Sequence, residues 1–224
     1  MRDGIMDFAI RPMRVEDLSQ VAEIERQAFP TTWPPTPFRR ELGNNLARYL
    51  VAWSPSAKGV PPSLRGDEQS TSDSWFQRLT DSVLSLFGAA PERLEPETHG
   101  LVVGYVATWF VLDEAHIISI AVRESLRRLG LGELLMMAAV ELSMARRAQR
   151  VTLEARVSNL AAHALYEKYG FARVGLRKRY YSDNNEDALI MTADGILSPA
   201  YQAKFQALVE AYHQRRGHAM RILA

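Results

Sequence analysis

The stretch Arg127-Arg128-Leu129-Gly130-Leu131-Gly132 decides the fold of this chain, because it joins a strand-like run to a helical pattern. An apolar, β-like run over 116–122 precedes it, and apolar side chains at helical spacing follow over 131–147. A glycine-containing turn at a helix N-terminus presents unpaired backbone N–H groups and the positive end of the helix dipole. The stretch therefore predicts a cradle for a pyrophosphate group.

The glycine spacing argues against two common phosphate-binding loops. No Lys-Ser or Lys-Thr pair follows Gly132, as a Walker-type loop requires. Leu135 stands where the Gly-x-Gly-x-x-Gly fingerprint of dinucleotide-binding proteins has its third glycine. Glycines between a strand and a helix are often turn residues only. Two interpretations are thus open for this stretch alone: a plain turn, or a site for a different phosphate-bearing cofactor.

The composition is that of an ordinary soluble globular protein. The chain has 224 residues, of which 47% are hydrophobic and 24% charged, so one compact domain with embellishments is expected. The formal net charge of +1 predicts no general attraction to nucleic acid or to an anionic membrane. The apolar run over 5–10 is short and interrupted by Asp7, so we expect no signal peptide or transmembrane segment and a cytoplasmic location.

The chain lacks the residues that several kinds of catalytic and metal sites require. The chain has no cysteine, which excludes disulfides, thiolate metal sites and a cysteine nucleophile. The five histidines are not paired with each other or with acids at ligand spacing, so no metal is expected. No Gly-x-Ser-x-Gly sequence is present for a serine-based triad.

Periodicity and breakers give the order of elements. The apolar pattern predicts seven strands, over 8–11, 48–53, 101–111, 115–122, 151–157, 171–181 and 188–192. It predicts helices over 18–28, 38–42, 131–147, 161–169 and 199–216. This order favours a mixed sheet with helices on its faces, of α/β or α+β type.

The segment 54–100 departs from this pattern. It holds five of the eleven prolines and a polar run over 69–74, so we expect a partly flexible insertion between strands 2 and 3. One amphipathic helix is predicted inside it, over 75–87, which either packs on the parent domain or docks a partner or a membrane surface. We expect a main domain over 1–195 and a C-terminal helical extension over 196–224.

Two side chains suggest proton transfer. Glu154 lies on the polar phase of an otherwise apolar strand, where a solvated edge position is the plainer interpretation. Tyr166 lies on the following helix, where core packing is the plainer interpretation. Held close to one cofactor thiol, these two groups would supply a proton acceptor and a proton donor. Asn159, between strand and helix, either caps the helix or bonds a cofactor chain.

Motifs in several places stand in the order and spacing of one family. They are Ile120-Ala121-Val122 with Arg127-x-x-Gly130-x-Gly132, Leu153-Glu154-Ala155-Arg156-x-Ser158-Asn159, and Ala164-Leu165-Tyr166-Glu167-x-x-Gly170-Phe171. This combination resembles the GNAT acetyltransferase superfamily.

A narrower resemblance rests on further residues, namely Arg177-x-Arg179-Tyr180-Tyr181 with Glu186-Asp187-Ala188-x-Ile190-Met191, Val111-Leu112-Asp113-Glu114-Ala115, and Ala28-Phe29-Pro30 with Trp33. They are similar to the RimI-type protein N-terminal acetyltransferases. The resemblance implies the GNAT fold, a central mixed twisted sheet of about seven strands flanked by helices.

The resemblance also implies acetyl-CoA as co-substrate and a set of roles. Glu154 would be the general base toward the substrate's α-ammonium, and Tyr166 the general acid toward the departing CoA thiolate. The cofactor-binding residues would be Ile120, Ala121 and Val122 along the pantetheine arm, Arg127, Arg128, Leu129, Gly130, Leu131, Gly132 and Glu133 at the pyrophosphate, and Asn159. The substrate-binding residues would be Trp33, Tyr180 and Tyr181.

The expected activity is acetyl transfer to the N-terminal amine of a protein such as ribosomal protein S18, with no direct nucleic-acid contact. The alternatives are acetylation of a small-molecule amine or a lysine side chain, and a catalytically idle CoA-binding partner protein. Glu133 departs from the family, which usually has a basic or neutral residue there. We expect this carboxylate to weaken CoA binding unless Arg127, Arg128 or Arg123 compensates.

Overall fold

The computed structural model describes residues 7–29, 36–54 and 100–223. These ranges contain seven strands: β1 (Ala9–Pro12), β2 (Ala47–Ser54), β3 (Leu101–Val111), β4 (Glu114–Val122), β5 (Arg150–Arg156), β6 (Ala172–Tyr181) and β7 (Glu186–Asp194). They also contain five α-helices: α1 (Leu18–Ala28), α2 (Phe38–Glu41), α3 (Leu131–Ala145), α4 (Leu160–Lys168) and α5 (Pro199–Arg216).

The strands form one mixed sheet in the order β1-β2-β3-β4-β5-β7-β6. Every neighbouring pair is antiparallel except β4 and β5, which are parallel. The last strand, β7, lies between β5 and β6, so β6 forms an edge. The predicted mixed sheet of seven strands with flanking helices is confirmed.

The parallel pair separates halfway along its length. β4 pairs with β5 only from Glu114 opposite Arg150 to Ile117 opposite Leu153. The register of β4 against β3 shifts between Ile117 and Ser119, which marks a β-bulge. Beyond it, residues 119–122 of β4 pair with β3 alone, and residues 154–156 of β5 pair with β7 alone. We call this wedge between the two strands the parting.

Helices cover both faces of the sheet. On one face α3 is buried almost all round, with Leu134, Leu135 and Met136 fully enclosed. Helices α4 and α5 add Tyr166, Phe205 and other side chains to the same cluster. On the other face, α1 and α2 bury a smaller cluster, in which Val21, Ile24 and Phe38 pack against Val51, Tyr49 and Tyr105. Burial on both faces explains why the interior strand β3 is almost continuously apolar.

Two strand boundaries differ from the sequence prediction. β1 ends with Pro12, opposite Leu50, one residue beyond the predicted range 8–11. An edge strand tolerates proline because one side of its backbone needs no partner. β7 begins at Glu186 and ends at Asp194, beyond the apolar residues 188–192, because its polar ends pair with β5 and β6. The predicted helix over 75–87 lies outside the described residues.

The end of the chain returns to the first strand. α5 begins after Ser198, whose side chain accepts a hydrogen bond from the Tyr201 N–H at 3.3 Å. After α5, the Ile10 N–H donates to the Met220 carbonyl and the Ile222 N–H donates to the Ile10 carbonyl, each at 2.8 Å. In the described ranges, no helix has the length and the apolar character needed to cross a membrane.

Candidate active site

A cavity of about 380 Å³ lies at the parting of β4 and β5. Its walls come from both strands, from α1 and α4, and from the end of β6. It brings together six of the sequence-predicted site residues: Ile120, Glu154, Asn159, Tyr166, Tyr180 and Tyr181.

Glu154 is held by a cation and a histidine. Its Oε2 lies 2.6 Å from Nε2 of His116, and its Oε1 lies 2.9 Å from Nε of Arg177. The glutamate side chain is only 8% exposed, because it lies in the wall of the cavity and is covered by His116 and Arg177. The solvated-edge interpretation of Glu154 is therefore wrong. Each carboxylate oxygen has a second lone pair, so the group can still accept a proton from an amine in the cavity.

Tyr166 projects from α4 into the same cavity. It is 6% exposed, and its ring packs beside Phe171 with 6.0 Å between the ring centroids. Burial, and to a smaller extent the neighbouring Tyr181, raises the pKa of the phenol well above its ordinary value of 10.0. Tyr166 therefore packs in the core and also lines the cavity, and its phenol keeps its proton at neutral pH.

Tyr180 and Tyr181 lie at the mouth, at the end of β6. Their rings meet edge to face, with centroids 5.2 Å apart. The guanidinium of Arg156 lies over the Tyr181 ring at 3.9 Å and also pairs with Asp183 of the following turn and with Glu186, the first residue of β7. These contacts fix the hairpin of β6 and β7 against β5.

Sequence reasoning missed the carboxylate on the opposite wall. Glu25 is 7% exposed and accepts hydrogen bonds from the N–H and the hydroxyl of Thr36. Burial, with the nearby carboxylates of Glu41 and Glu25, raises the pKa of Tyr49 to about 12. The Tyr49 hydroxyl is buried and has no hydrogen-bond partner within the described ranges. A signal was present, because Glu25 stands four residues after Val21 on the apolar face of α1.

The predicted phosphate cradle has the required backbone shape. Arg128 and Gly130 adopt left-handed conformations, with φ of 68° and 87°, and α3 begins directly afterwards. Residues 128–133 donate no backbone hydrogen bond to another described residue, so their N–H groups are available. Leu131 is 1% exposed and anchors the turn in the core, whereas Leu129 is 42% exposed.

These residues fit the phosphates and the amide-bearing arm of CoA. A Cβ placed on Gly132 would meet the side chains of Leu165 and Val122 only at 4.0 Å, so no described neighbour crowds the helix N-terminus at this point. On β4, Ile120, Ala121 and Val122 lie opposite Val106, Tyr105 and Gly104 and have no β5 partner. An extended chain with amide groups can therefore pair along that open edge.

The charge of Glu133 is neutralised, but by other residues than we expected. Its Oε1 accepts hydrogen bonds from Lys168, from the Tyr169 hydroxyl at 2.9 Å and from Arg215 at 3.3 Å. The three arginines named from the sequence are not its partners. Arg127 lies near Glu124 instead, and Arg123 donates to the Val102 carbonyl at 2.8 Å. Tertiary packing of α4 and α5 supplies the compensating charge.

Asn159 and Trp33 are the remaining residues that the sequence predicts for the site. Asn159 caps α4, since its Oδ1 accepts from the Ala162 N–H at 3.2 Å, and it also lines the cavity. The capping interpretation is confirmed by this contact. Trp33 lies outside the described residues.

Comparison with known proteins places the chain in a family. The profile of the Acetyltransferase (GNAT) family matches residues 61–171. A protein of Bacillus subtilis (strain 168), provisionally named a ribosomal protein bS18-alanine N-acetyltransferase, is 36% identical over 184 residues, which cover 82% of this chain and 93% of that protein. The N-alpha-acetyltransferase of Sulfurisphaera tokodaii is 29% identical over 200 residues, with coverage of 84% and 93%.

Solved structures share the fold. The ribosomal-protein-S18-alanine N-acetyltransferase of Escherichia coli matches with a TM-score of 0.57 and 24% identity, covering 84% of this chain and 94% of that one. Arabidopsis thaliana NAA60 in complex with acetyl-CoA matches with a TM-score of 0.58 and 17% identity, with coverage of 83% and 97%. The family profile matches this chain, and a relative is 36% identical over 82% of it. The chain therefore belongs to the GNAT family of acetyltransferases.

Proposed function

We propose that this acetyltransferase moves the acetyl group of acetyl-CoA to the N-terminal amine of a protein, with a ribosomal protein of the S18 type as substrate. The single observation that carries the proposal is the pairing of Glu154 and Tyr166 on one cavity at the parting, beside the open edge of β4. When bound, acetyl-CoA supplies a thioester whose carbonyl carbon accepts an amine and whose sulfur leaves.

Glu154 acts on the incoming amine. An N-terminal α-ammonium has an ordinary pKa of roughly 8, so about a tenth of it is already the free amine at neutral pH, and a carboxylate in contact can receive the proton that the amine loses as it attacks. His116 and Arg177 hold the carboxylate in place from two directions. Glu154 takes the proton directly or through one water molecule.

Tyr166 acts on the leaving group. Tyr166 lines the cavity, and burial keeps its phenol protonated. The hydroxyl can therefore donate a hydrogen bond, and then its proton, to the departing sulfur. The backbone N–H groups of 128–133 and the edge of β4 position the reacting thioester. No covalent bond between enzyme and substrate is needed in this scheme.

The names of the relatives support a protein N-terminus as acceptor. The proteins that align with more than four fifths of this chain are named as acetylating the alanine of ribosomal protein bS18 or, more generally, an α-amine. The hairpin with Tyr180 and Tyr181 at the mouth offers aromatic surface to a peptide backbone. We assign these two tyrosines, with Trp33, to peptide binding.

Mass spectrometry with three acceptors tests the proposal. One peptide begins with a free alanine and contains an internal lysine, its twin is blocked at the N-terminus, and the third acceptor is a set of small primary amines. We expect acetylation of the free α-amine only. Acetylation of the blocked twin or of the small amines would contradict the proposal, and so would CoA binding without transfer to a panel of N-terminal peptides.

A further inference from the structure

The C-terminal helix α5 packs directly against the phosphate cradle. Tyr212 is fully buried, and its hydroxyl donates a hydrogen bond to the Gly130 carbonyl at 3.3 Å. One turn later, Nη2 of Arg216 donates to the Arg128 carbonyl at 3.4 Å. A Cβ on Gly130 would stand 3.2 Å from Nε of Arg216, so the guanidinium lies against the turn itself.

Contacts at both ends hold α5 in this position. Near its start, the Tyr201 hydroxyl donates to the Tyr169 carbonyl at 2.8 Å, and Phe205 is buried against the Tyr169 ring. Beyond its end, Arg221 makes two hydrogen bonds of 2.8 Å to the carboxylate of Glu141 on α3. The last turn of α5 is thus fixed relative to the N-terminus of α3.

The charges around the cradle divide into paired and unpaired cations. Arg215 and Lys168 are paired with Glu133, the one carboxylate in the first turn of α3. Arg216 and Arg128 form no ion pair with any carboxylate that the structure describes. Two exposed guanidinium groups therefore stand beside unpaired N–H groups, where an anion would meet both.

We infer that the last turn of α5 forms part of the CoA site: Arg216 binds a phosphate of the nucleotide end together with Arg128, and Arg215 joins Lys168 in neutralising Glu133. The inference rests on acetyl-CoA as the co-substrate and is independent of the acceptor. It explains how a carboxylate is tolerated beside the phosphates, since Arg215 of the extension and Lys168 of α4 both pair with it and the extension offers a further cation, Arg216, to the ligand.

Binding of CoA and its fragments to Arg216→Ala tests this role without catalysis. Calorimetry should show CoA binding weakened about tenfold, the usual order for loss of one charge-assisted hydrogen bond, and pantetheine binding unchanged. If 3′-dephospho-CoA shows the same loss, Arg216 contacts the diphosphate; if it shows none, Arg216 contacts the 3′-phosphate. Unchanged CoA affinity, or an equal loss for pantetheine, would overturn the inference.

Arg173→Ala is the matched control, because Arg173 is also an exposed arginine but pairs with Glu167 on α4. It should bind CoA as the unaltered chain does. Since no acceptor is present in these measurements, a failed peptide assay leaves them interpretable. Absence of CoA binding by the unaltered chain would instead contradict the proposed co-substrate.

A double-mutant cycle tests the role of Arg215. Arg215→Ala should weaken CoA binding severalfold, because it leaves Glu133 less neutralised beside the phosphates. In a Glu133→Gln background the same substitution should have no effect. An equal loss in both backgrounds would show that Arg215 does not act through Glu133.

Discussion

The two ends of the parting are built in opposite ways. At the acid–base end, Glu154 is buried and already bonded to His116 and Arg177, which come from β4 and β6. At the phosphate end, residues 128–133 are contiguous in sequence, and their N–H groups have no described partner outside the helix. The acid–base end consists of side chains bonded to each other, whereas the phosphate end consists of the backbone N–H groups of one turn.

This difference predicts different sensitivities. A network of side chains tolerates changes in neighbouring backbone but depends on one functional group for its chemistry. A backbone cradle tolerates changes in most side chains but depends on the absence of a Cβ where phosphate approaches. Substitutions at the two ends should therefore separate turnover from CoA binding.

The largest effect is expected at Glu154. Glu154→Gln keeps the shape of the side chain but removes the proton acceptor, so kcat with a cognate peptide should fall by roughly two to four orders of magnitude. Tyr166→Phe should act in the same direction through loss of the proton donor. CoA affinity should be nearly unchanged in both variants, because neither residue belongs to the cradle.

Glu167→Gln is the control for this pair. Glu167 directly follows Tyr166 on α4, but it is exposed and pairs with Arg173. Its substitution should leave kcat within about twofold, as exposed ion pairs contribute little. Near-normal turnover of Glu154→Gln with a peptide that the unaltered enzyme acetylates would remove the general base from the scheme.

A smaller and different effect is expected from the two glycines of the cradle. Gly132→Ala meets no protein atom nearer than 4.0 Å, so the free energy of unfolding should change by less than about 0.5 kcal/mol. The added methyl group occupies the space above the helix N-terminus, so CoA binding should weaken about tenfold or more. Calorimetry and urea unfolding measure the two quantities.

Gly130→Ala should differ from Gly132→Ala by lowering the stability of the fold. Gly130 has φ of 87°, where an alanine costs about 1–2 kcal/mol of stability. Urea unfolding should detect this loss. If Gly132→Ala destabilised the fold as much as Gly130→Ala and bound CoA normally, the cradle would be a turn only.

The smallest effect concerns pH and the hairpin beside the acid–base end. Hydrogen bonds from Ser158, whose N–H donates at 2.8 Å, together with those from Arg156 and Asn184, lower the pKa of Glu186 from 4.5 to about 2. A carboxylate whose pKa is lowered on folding stabilises the fold at every pH above its pKa in the unfolded chain. This contribution is lost as the pH falls from about 4.5 toward 2.

Glu186→Gln should therefore flatten the fall in unfolding free energy across that acidic range. Urea unfolding followed by circular dichroism at several pH values measures the slope. Glu16→Gln, at an exposed position before α1, serves as control and should keep the slope of the unaltered chain. Identical slopes in all three proteins would show that the contacts of Glu186 add nothing to stability.

Much of the fold could be predicted from local pattern. The strands and helices outside 55–99 follow from apolar periodicity, because period 2 and period 3.6 reflect which side chains are buried. The cradle could be located for a similar reason, since its function resides in consecutive backbone groups. Even the cap at Asn159 is a local event between residues three apart.

The partners of the charged residues could not be predicted in this way. Arg123, Arg127 and Arg128 are near Glu133 in sequence, yet the carboxylate is neutralised by Lys168 and Arg215. Glu25, Tyr49 and Glu154 share one cavity although more than one hundred residues separate the first from the last. Coulombic attraction and burial act through space, so they depend on how the elements pack.

The sequence by itself determined the elements of this protein, the left-handed turn before α3 and the residue types available for proton transfer. Only the tertiary structure decided that β7 inserts between β5 and β6, that the parallel pair separates at the bulge, and that α5 returns to the cradle. The physical reason is range: dihedral preference and periodicity are properties of neighbouring residues, whereas strand order, cavity walls and ion pairs arise from contacts between distant ones.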